Sequence, residues 1–258
     1  MRITVKIFFI GFLAYLFFYS CNSDNSTNPP NQNFPDFYPS DSGSTFKYSI
    51  KETDTLGNPV QEGSRSVYYT GTTTHNGREY ITQADSLIFD TLSTFNTFLF
   101  RKSDTGVFYA VDTSQISQII PDTLKQYVTL RDEMQLLFYP LTSGSSWSMY
   151  RITAEVQPGI EIKILDIIAS FESSEQINLN LTSGTVSVIS QKVKYTLEYY
   201  SDVNSDPETY TAFMWFAENI GLVKFEGNQV VISLTGGGIN IDISSNILTQ
   251  DLIQYIIP

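Results

Sequence analysis

The chain has 258 residues, with 15 Lys and Arg against 27 Asp and Glu, which gives a formal net charge of −12. Hydrophobic residues make up 41 % and charged residues 16 %, a balance that excludes a disordered chain. The acidic balance without a Lys/Arg cluster excludes nucleic-acid binding, because phosphates need a concentrated positive surface. A single Cys excludes an internal disulfide framework and a Cys-based zinc site.

The first twenty residues have the layout of a secretory signal peptide. Basic Arg2 and Lys6 precede an uncharged apolar run over residues 7–18, and Cys21 follows a small residue. The run is shorter than the roughly 20 residues that span a bilayer. We predict a signal peptide over residues 1–20, with a short membrane anchor or cleavage at another position as the alternatives.

A Cys at the end of the apolar run, followed at once by Asn, Ser and Asp, resembles a bacterial lipoprotein signal. Phe18 and Tyr19 depart from the usual Leu and small residue of such signals. The resemblance implies that Cys21 is lipidated and begins the mature chain. Several acyl chains, palmitate among them, would hold the protein stably on a membrane. Asn22 implies sorting to the outer membrane, with the leaflet left open.

Residues 21–36 are predicted to be a flexible tether after the lipidated Cys. They are rich in Asn, Ser and Pro and nearly free of aliphatic side chains. Such a segment cannot bury enough apolar surface to offset its loss of conformational entropy, so it should act as a solvated spacer.

From residue 37 onward, short runs rich in Thr, Ser, Tyr, Phe, Val and Ile alternate with turn residues, which predicts β-strands. Asn76-Gly77 between two such runs is a strong hairpin signal. We predict strands at Thr45–Glu52, Ser64–Thr73, Arg78–Phe89, Thr94–Lys102, Val107–Asp112, Ser146–Val156, Ile160–Phe171, Gln176–Leu181, Thr185–Tyr200, Thr209–Ala217, Gly221–Gly227, Gln229–Thr235 and Ile239–Ile243.

Helix signals are limited to two segments. Residues 114–126 should form a turn or two that Pro121 interrupts, and the apolar spacing over 247–256 predicts a short amphipathic helix. The fold class is therefore mainly β, with antiparallel meander sheets.

The chain also contains an internal similarity. FYPSDSGSTF at 37–46 and FYPLTSGSSW at 138–147 share six of ten residues. We predict two related β units, residues 37–137 and 138–258, that form a sandwich or a half-barrel. One continuous domain, or a coincidence between two turn-to-strand junctions, is the alternative.

The segment WFAENIGLVKFEGN at 215–228, together with the second FYP sequence, resembles uncharacterised secreted lipoproteins of Bacteroidota-like bacteria. The resemblance covers these two segments and implies a family of unknown function. A curved antiparallel sheet on a lipid tether also looks like the half-barrel of lipoprotein carriers, which hold acyl chains in a concave apolar face. That second likeness is an analogy of fold and transfers no site residue.

Few residues suggest chemistry. His75, the only His, lies beside a predicted hairpin turn, where a solvated turn residue is the favoured interpretation. Asp202, Asn204 and Asp206 match the first three side-chain ligands of a calcium loop, but Pro207 replaces the Gly that follows them. An ordinary Asp/Asn-rich loop is the alternative. Several aromatic residues could stack on a sugar or a protein partner, although core packing is the favoured role: Tyr68, Tyr69, Tyr199, Tyr200 and Trp215.

The sequence therefore predicts a non-catalytic, lipid-anchored outer-membrane protein with a binding or scaffold role in the cell envelope. It should not be an enzyme, and calcium is the one candidate cofactor. The expected partners are the membrane, through the lipid anchor, and an envelope protein or a glycan, whereas the ligand-binding residues are unknown. The alternatives are a carrier of lipid or another apolar ligand in a concave β face, and an envelope glycan hydrolase with two facing carboxylates.

Overall fold

The computed structural model describes residues 34–89, 92–201, 206–228 and 246–258. Short helical turns at Thr113–Ile116, Ser117–Ile119 and Lys125–Tyr127 lie in one long connection. The strands in chain order are β1 Thr45–Thr53, β2 Pro59–His75, β3 Arg78–Phe89, β4 Leu92–Ser103, β5 Gly106–Ala110, β6 Glu133–Phe138, β7 Ser146–Gln157, β8 Ile160–Leu181, β9 Gly184–Tyr199, β10 Glu208–Ala217, β11 Gly221–Asn228 and β12 Ile247–Ile256.

All twelve strands belong to one antiparallel sheet, which confirms the mainly β prediction with a single sheet in place of two. Strands pair with their sequence neighbours from β1 to β6 and from β7 to β12, and β1 pairs with β12. The sheet is nearly closed into a barrel, with β6 and β7 as its edges. Side chains bridge this seam: Trp147 Nε1 donates to the Gln135 carbonyl at 3.0 Å, and the Tyr195 hydroxyl donates to the Leu136 carbonyl at 2.9 Å.

The predicted hairpin turn and most of the predicted strands are confirmed. Asn76 and Gly77 have φ values of 49° and 74°, which is the geometry that a two-residue turn between β2 and β3 requires. The two strands predicted within residues 160–181 are one strand with a bulge between Phe171 and Ser173. The short strand β6 was not predicted, and the strands predicted over residues 229–243 lie outside the described residues.

The helix predicted over residues 247–256 is wrong, because this segment is β12. Leu248, Gln250 and Leu252 are buried at a spacing of two residues, and the backbone pairs with β1 and β11. The apolar pairs Ile247-Leu248 and Leu252-Ile253 mimic a helical spacing only because each pair straddles the two faces of the strand.

The two FYP segments occupy corresponding positions, just before the first strand of each six-stranded half. In each segment a Ser N–H donates at 2.9 Å to the carbonyl three residues earlier, at Ser44 and at Ser145. Each of these Ser carbonyls then accepts from the N–H of an aromatic residue, Tyr69 at 3.1 Å and Phe171 at 2.9 Å. One continuous sheet includes both halves, so the unit boundaries at 37–137 and 138–258 stay a prediction.

Bulges next to Tyr69 and Phe171 mark where two long hairpins leave the curled sheet. A bulge bends its strand and increases the local twist. The end of the β2–β3 hairpin contacts β6, where Arg78 Nη1 lies 2.8 Å from Glu133 Oε2. The end of the β8–β9 hairpin contacts β12, where the Thr182 N–H donates to the Ile253 carbonyl at 2.8 Å. Each hairpin therefore folds back toward the last strand of its own half.

Candidate functional site

The interior of the sheet contains a buried ion pair between β2 and β3. Arg65 Nε donates to both carboxylate oxygens of Asp85, at 2.8 and 3.0 Å, and its Nη2 also contacts that carboxylate. Arg65 Nη1 donates to Gln250 Oε1 of β12 at 3.2 Å. Burial lowers the pKa of Arg65, but the adjacent charge of Asp85 overrides burial and raises it. Arg65 therefore keeps its charge, and the carboxyl group of Asp85 lies directly against it.

Buried tyrosines continue this polar cluster. The Tyr109 hydroxyl donates to Gln83 Oε1 at 2.7 Å, so the Tyr38 hydroxyl, which contacts Tyr109, must be the donor in that pair. The Tyr48 hydroxyl donates to the Leu222 carbonyl at 3.1 Å. Burial raises the pKa of Tyr38, Tyr48 and Tyr109, so these side chains are neutral at physiological pH.

The space beside the cluster is small. A cavity of about 20 Å³ is lined by Tyr48, Arg65, Leu136, Met214 and neighbouring side chains. This is room for one water molecule, which needs about 10–15 Å³, whereas ligand sites measure about 300–1,000 Å³. Around this cluster, the described side chains fill the interior, so the geometry gives no support to the apolar-carrier alternative.

Two carboxylates lie buried on the inner face, and neither faces an open cleft. Asp85 is held by Arg65, and Glu52 accepts from Gln61 and, at 2.6 Å, from Asn246 Nδ2. A glycoside hydrolase needs two carboxylates facing a cleft that admits substrate. This pair gives no support to the hydrolase alternative.

The residues proposed for lipid and calcium fall mainly beyond the described part of the chain. Cys21, Asp202 and Asn204 lie outside the described residues, and Asp206 is exposed. Among the described residues, no group of three His, Cys, Asp or Glu side chains could hold a metal ion. His75 is exposed at the β2–β3 turn, as predicted, and its ring centroid lies 6.0 Å from that of Tyr80.

Of the five aromatic residues considered for stacking, only Tyr68 is exposed. Tyr69 points into the core. Trp215 points outward, but its Nε1 donates to Glu175 of the β8–β9 hairpin, and the Lys192 and Lys224 ammonium groups lie 4.9 and 4.7 Å from its ring centroid. The alternation of residues predicts the direction of Trp215, but only the folded hairpin shows that it is covered.

The outer face of β2, β3 and β4 combines exposed apolar side chains with uncharged polar ones. We define the β2–β4 outer face by nine residues that alternate with inward-facing ones and stand in register across the three strands: Ser64, Ser66, Tyr68, Ala84, Ser86, Ile88, Ser93, Phe95 and Thr97. None of the nine is charged. Tyr68, Ile88 and Phe95 are 43, 44 and 68 % exposed. Within the described part of the chain, the Ser and Thr hydroxyls of this face have no protein hydrogen-bond partner.

The corresponding outer face of the second half, on β8, β9 and β10, carries charged residues. Arg151 Nη2 lies 2.8 Å from Asp166 Oδ2, and Lys163 Nζ lies 3.5 Å from the same oxygen. Lys194 and Glu198 continue this face on β9. The contrast makes the β2–β4 outer face the candidate binding surface, and sequence reasoning identified only its Tyr68.

No helix among the described residues is long and apolar enough to cross a membrane. No family model matches the chain, and no curated protein matches it either.

Three solved structures are similar in backbone. A predicted lipoprotein of Parabacteroides distasonis has a TM-score of 0.48 at 15 % identity, covering 87 % of this chain and all 100 % of that chain. A predicted exported protein of Bacteroides fragilis with a YmcC-like fold has a TM-score of 0.46 at 12 % identity, covering 85 % of this chain and 98 % of that chain. The hypothetical lipoprotein YmcC of Escherichia coli has a TM-score of 0.32 at 12 % identity, covering 95 % of this chain and 94 % of that chain. The chain is similar to uncharacterised bacterial lipoproteins and exported proteins, and a likeness at this level carries no argument about activity.

Proposed function

We propose that this chain is a non-catalytic, lipid-anchored protein of the cell envelope that binds its partner on its outer surface. The observation that carries the proposal is the filled interior beside the Arg65–Asp85 ion pair, where a cavity of about 20 Å³ leaves no room for a ligand larger than water. This filled space favours a ligand that contacts the outside of the sheet. The uncharged β2–β4 outer face is the described surface that best suits this role.

Cys21 supplies the anchor in this proposal, and residues 22–33 connect it to the sheet. The last residues of the segment predicted as a tether pack against the body, since the Phe34 ring centroid lies 6.1 Å from that of Tyr139 and Asp36 pairs with Lys102 at 2.8 Å. These contacts fix where the tether leaves the sheet. The outer membrane is the proposed location, because Asn22 replaces the Asp that favours inner-membrane retention.

Metabolic labelling with a palmitate analogue tests the anchor. We expect label on the natural chain and none on Cys21→Ala, and membrane fractionation should place the labelled protein in the outer membrane. Protease treatment of intact cells then reports which leaflet carries the body. An unlabelled natural chain in the soluble fraction would contradict the anchor.

Solvent extraction of the purified Cys21→Ala protein tests where ligands bind. Because this variant carries no covalent lipid, any lipid found by mass spectrometry must be held non-covalently. We expect no stoichiometric lipid. One lipid per chain would contradict the filled interior and restore the carrier alternative.

A further inference from the structure

The β2–β4 outer face combines isolated apolar rings with free hydroxyl groups. Tyr68, Ile88 and Phe95 protrude from a surface that is otherwise made of small side chains, four Ser, one Thr and one Ala. Small side chains leave the sheet surface flat between the protruding ones. A ligand on this surface contacts apolar side chains and unpaired hydroxyl groups together, and none of the nine residues of the face is charged.

The absence of charge on this face constrains the ligand. The whole chain carries a net charge of −12, yet none of the nine residues of the β2–β4 outer face is ionisable at neutral pH. At the edge of the face, exposed Lys47, opposite Ser66 on β1, and exposed Glu62, two residues before Ser64, carry opposite charges, so the face favours neither an acidic nor a basic ligand. The ligand that fits is neutral.

The composition of the β2–β4 outer face also distinguishes a sugar ligand from a protein ligand. Cores of protein interfaces are depleted in Ser and Ala, whereas five of the nine residues of this face are Ser or Ala. A sugar chain, in contrast, offers both the hydroxyl groups that would pair with Ser and Thr and the C–H faces that pack on aromatic rings. The free hydroxyls therefore favour a glycan.

The spacing of the two rings agrees with this ligand. Tyr68 pairs with Ala84 and Phe95 pairs with Ser86, so the rings stand two strands and two residues apart. With strands about 4.8 Å apart and residues about 3.4 Å apart, the separation is about 12 Å. This is close to the distance between alternate sugar rings along a glycan chain.

We infer that the β2–β4 outer face binds a neutral glycan, with Tyr68 and Phe95 packing on two sugar rings of one chain. The inference rests on the proposed binding role at the outer surface and names the ligand class of that surface. Ser86, on the strand between the two rings, and Ser66, which pairs with Ser86 on β2, supply the hydrogen bonds.

Affinity electrophoresis tests the inference with the Cys21→Ala protein. The gels contain galactomannan, xyloglucan or a β-1,3-glucan as neutral probes, and polygalacturonate as the acidic one. We expect retardation in at least one neutral gel and none in the acidic gel. Phe95→Ala and Tyr68→Ala should weaken binding at least tenfold. Phe95→Tyr should preserve it, and Phe95→Leu, which keeps apolar area but removes the ring, should lose most of it.

Ile168→Ala is the matched control, because Ile168 is 39 % exposed on the outer face of β8. We expect no change in retardation from this variant. Migration unaffected in all three neutral gels, retention in the acidic gel only, or retardation that survives Phe95→Ala would overturn the inference. A concentration-dependent dimer that Phe95→Ala dissociates would assign the face to a second copy of the chain. Lipid extracted from the interior would contradict the proposed function without changing these gels, so the two failures are distinguishable.

Discussion

The interior side chains of the first half, β1 to β6, differ in kind from those of β7 to β11. The first half buries Glu52, Arg65, Gln83 and Asp85 among its aromatic residues, whereas the inner positions of the second half are mainly aliphatic. The outer faces show the opposite distribution, since the uncharged β2–β4 outer face corresponds to the charged face around Asp166. Two meanders of the same layout therefore place their polar groups on opposite sides of the sheet.

This difference has a physical consequence for the specificity of the fold. Aliphatic side chains pack in many arrangements of similar energy, but a buried Arg–Asp pair is tolerated only where the hydrogen-bonding geometry is complete. Arg65 reaches Asp85 on β3 and Gln250 on β12, so one side chain ties together strands on both sides of β1. We expect the first half to depend more steeply on single polar substitutions than the second.

Alkaline pH should give the largest effect. Burial raises the pKa of Tyr38, Tyr48, Tyr69 and Tyr109 above their ordinary value near 10. Below pH 10 both states keep the phenolic protons, so stability does not depend on these groups. Above pH 10 the unfolded chain loses them and the folded chain keeps them, so stability falls by about 1.4 kcal/mol per tyrosine at pH 11. The four together should remove up to about 6 kcal/mol, measured by urea unfolding at several pH values.

Single substitutions sharpen this test. Above pH 10 the folded state holds more protons than the unfolded state, and Tyr48→Phe removes one of these extra protons. The free energy of unfolding should therefore fall less steeply with pH in this variant. Tyr68→Phe is the matched control, because it removes one hydroxyl group at an exposed position. Equal effects of the two substitutions would show that the cluster does not govern alkaline unfolding.

Asp85→Ala should have the next largest effect. It leaves the Arg65 guanidinium buried without a counter-charge, which costs about 3–5 kcal/mol. Asp166→Asn in the second half should cost less, because Asp166 is buried but its partners Arg151 and Lys163 are half exposed and can turn to water. Denaturant midpoints measure both values. Similar losses would remove the distinction between the two halves.

The strands were largely predictable because one face of each is buried. In β1, Phe46, Tyr48 and Ile50 alternate with polar residues, and this period of two is visible in the sequence. The Arg65–Asp85 pair was not predictable. Continuing the register from the Asn76-Gly77 turn would set Arg65 opposite Ile88, but the bulge near Gly71 shifts the register by one residue. Sequence patterns do not place such bulges, so the pairing of interior groups across strands stays hidden.

The same limit explains what sequence reasoning missed at the candidate site. Tyr68 and Trp215 both point outward, yet only Tyr68 is exposed. The β8–β9 hairpin covers Trp215, and the residues next to Trp215 in the sequence do not predict this contact. Phe95 was not considered for binding because its exposure depends on tertiary packing.

Tyr195→Phe tests the seam, with a smaller expected effect. The Tyr195 hydroxyl donates to the buried Leu136 carbonyl on the β6 edge, so its removal leaves that carbonyl without this donor. Loss of one buried hydrogen bond costs about 1–2 kcal/mol. Amide hydrogen exchange should also quicken in β6 and β7 more than in β1 and β12, whose backbones pair directly. Uniform exchange across the sheet would show that side chains do not hold the seam.

Phe95→Ala should have the smallest effect on stability. Phe95 is 68 % exposed, and substitutions at such positions usually change the free energy of unfolding by less than about 0.5 kcal/mol. Ile168→Ala on the charged outer face should behave alike, so unfolding alone does not separate the two faces. Glycan binding should separate them, because only Phe95 stands on the uncharged face. A loss above about 1 kcal/mol for Phe95→Ala would mean that its ring supports the fold, and any loss of binding in that variant would then reflect folding.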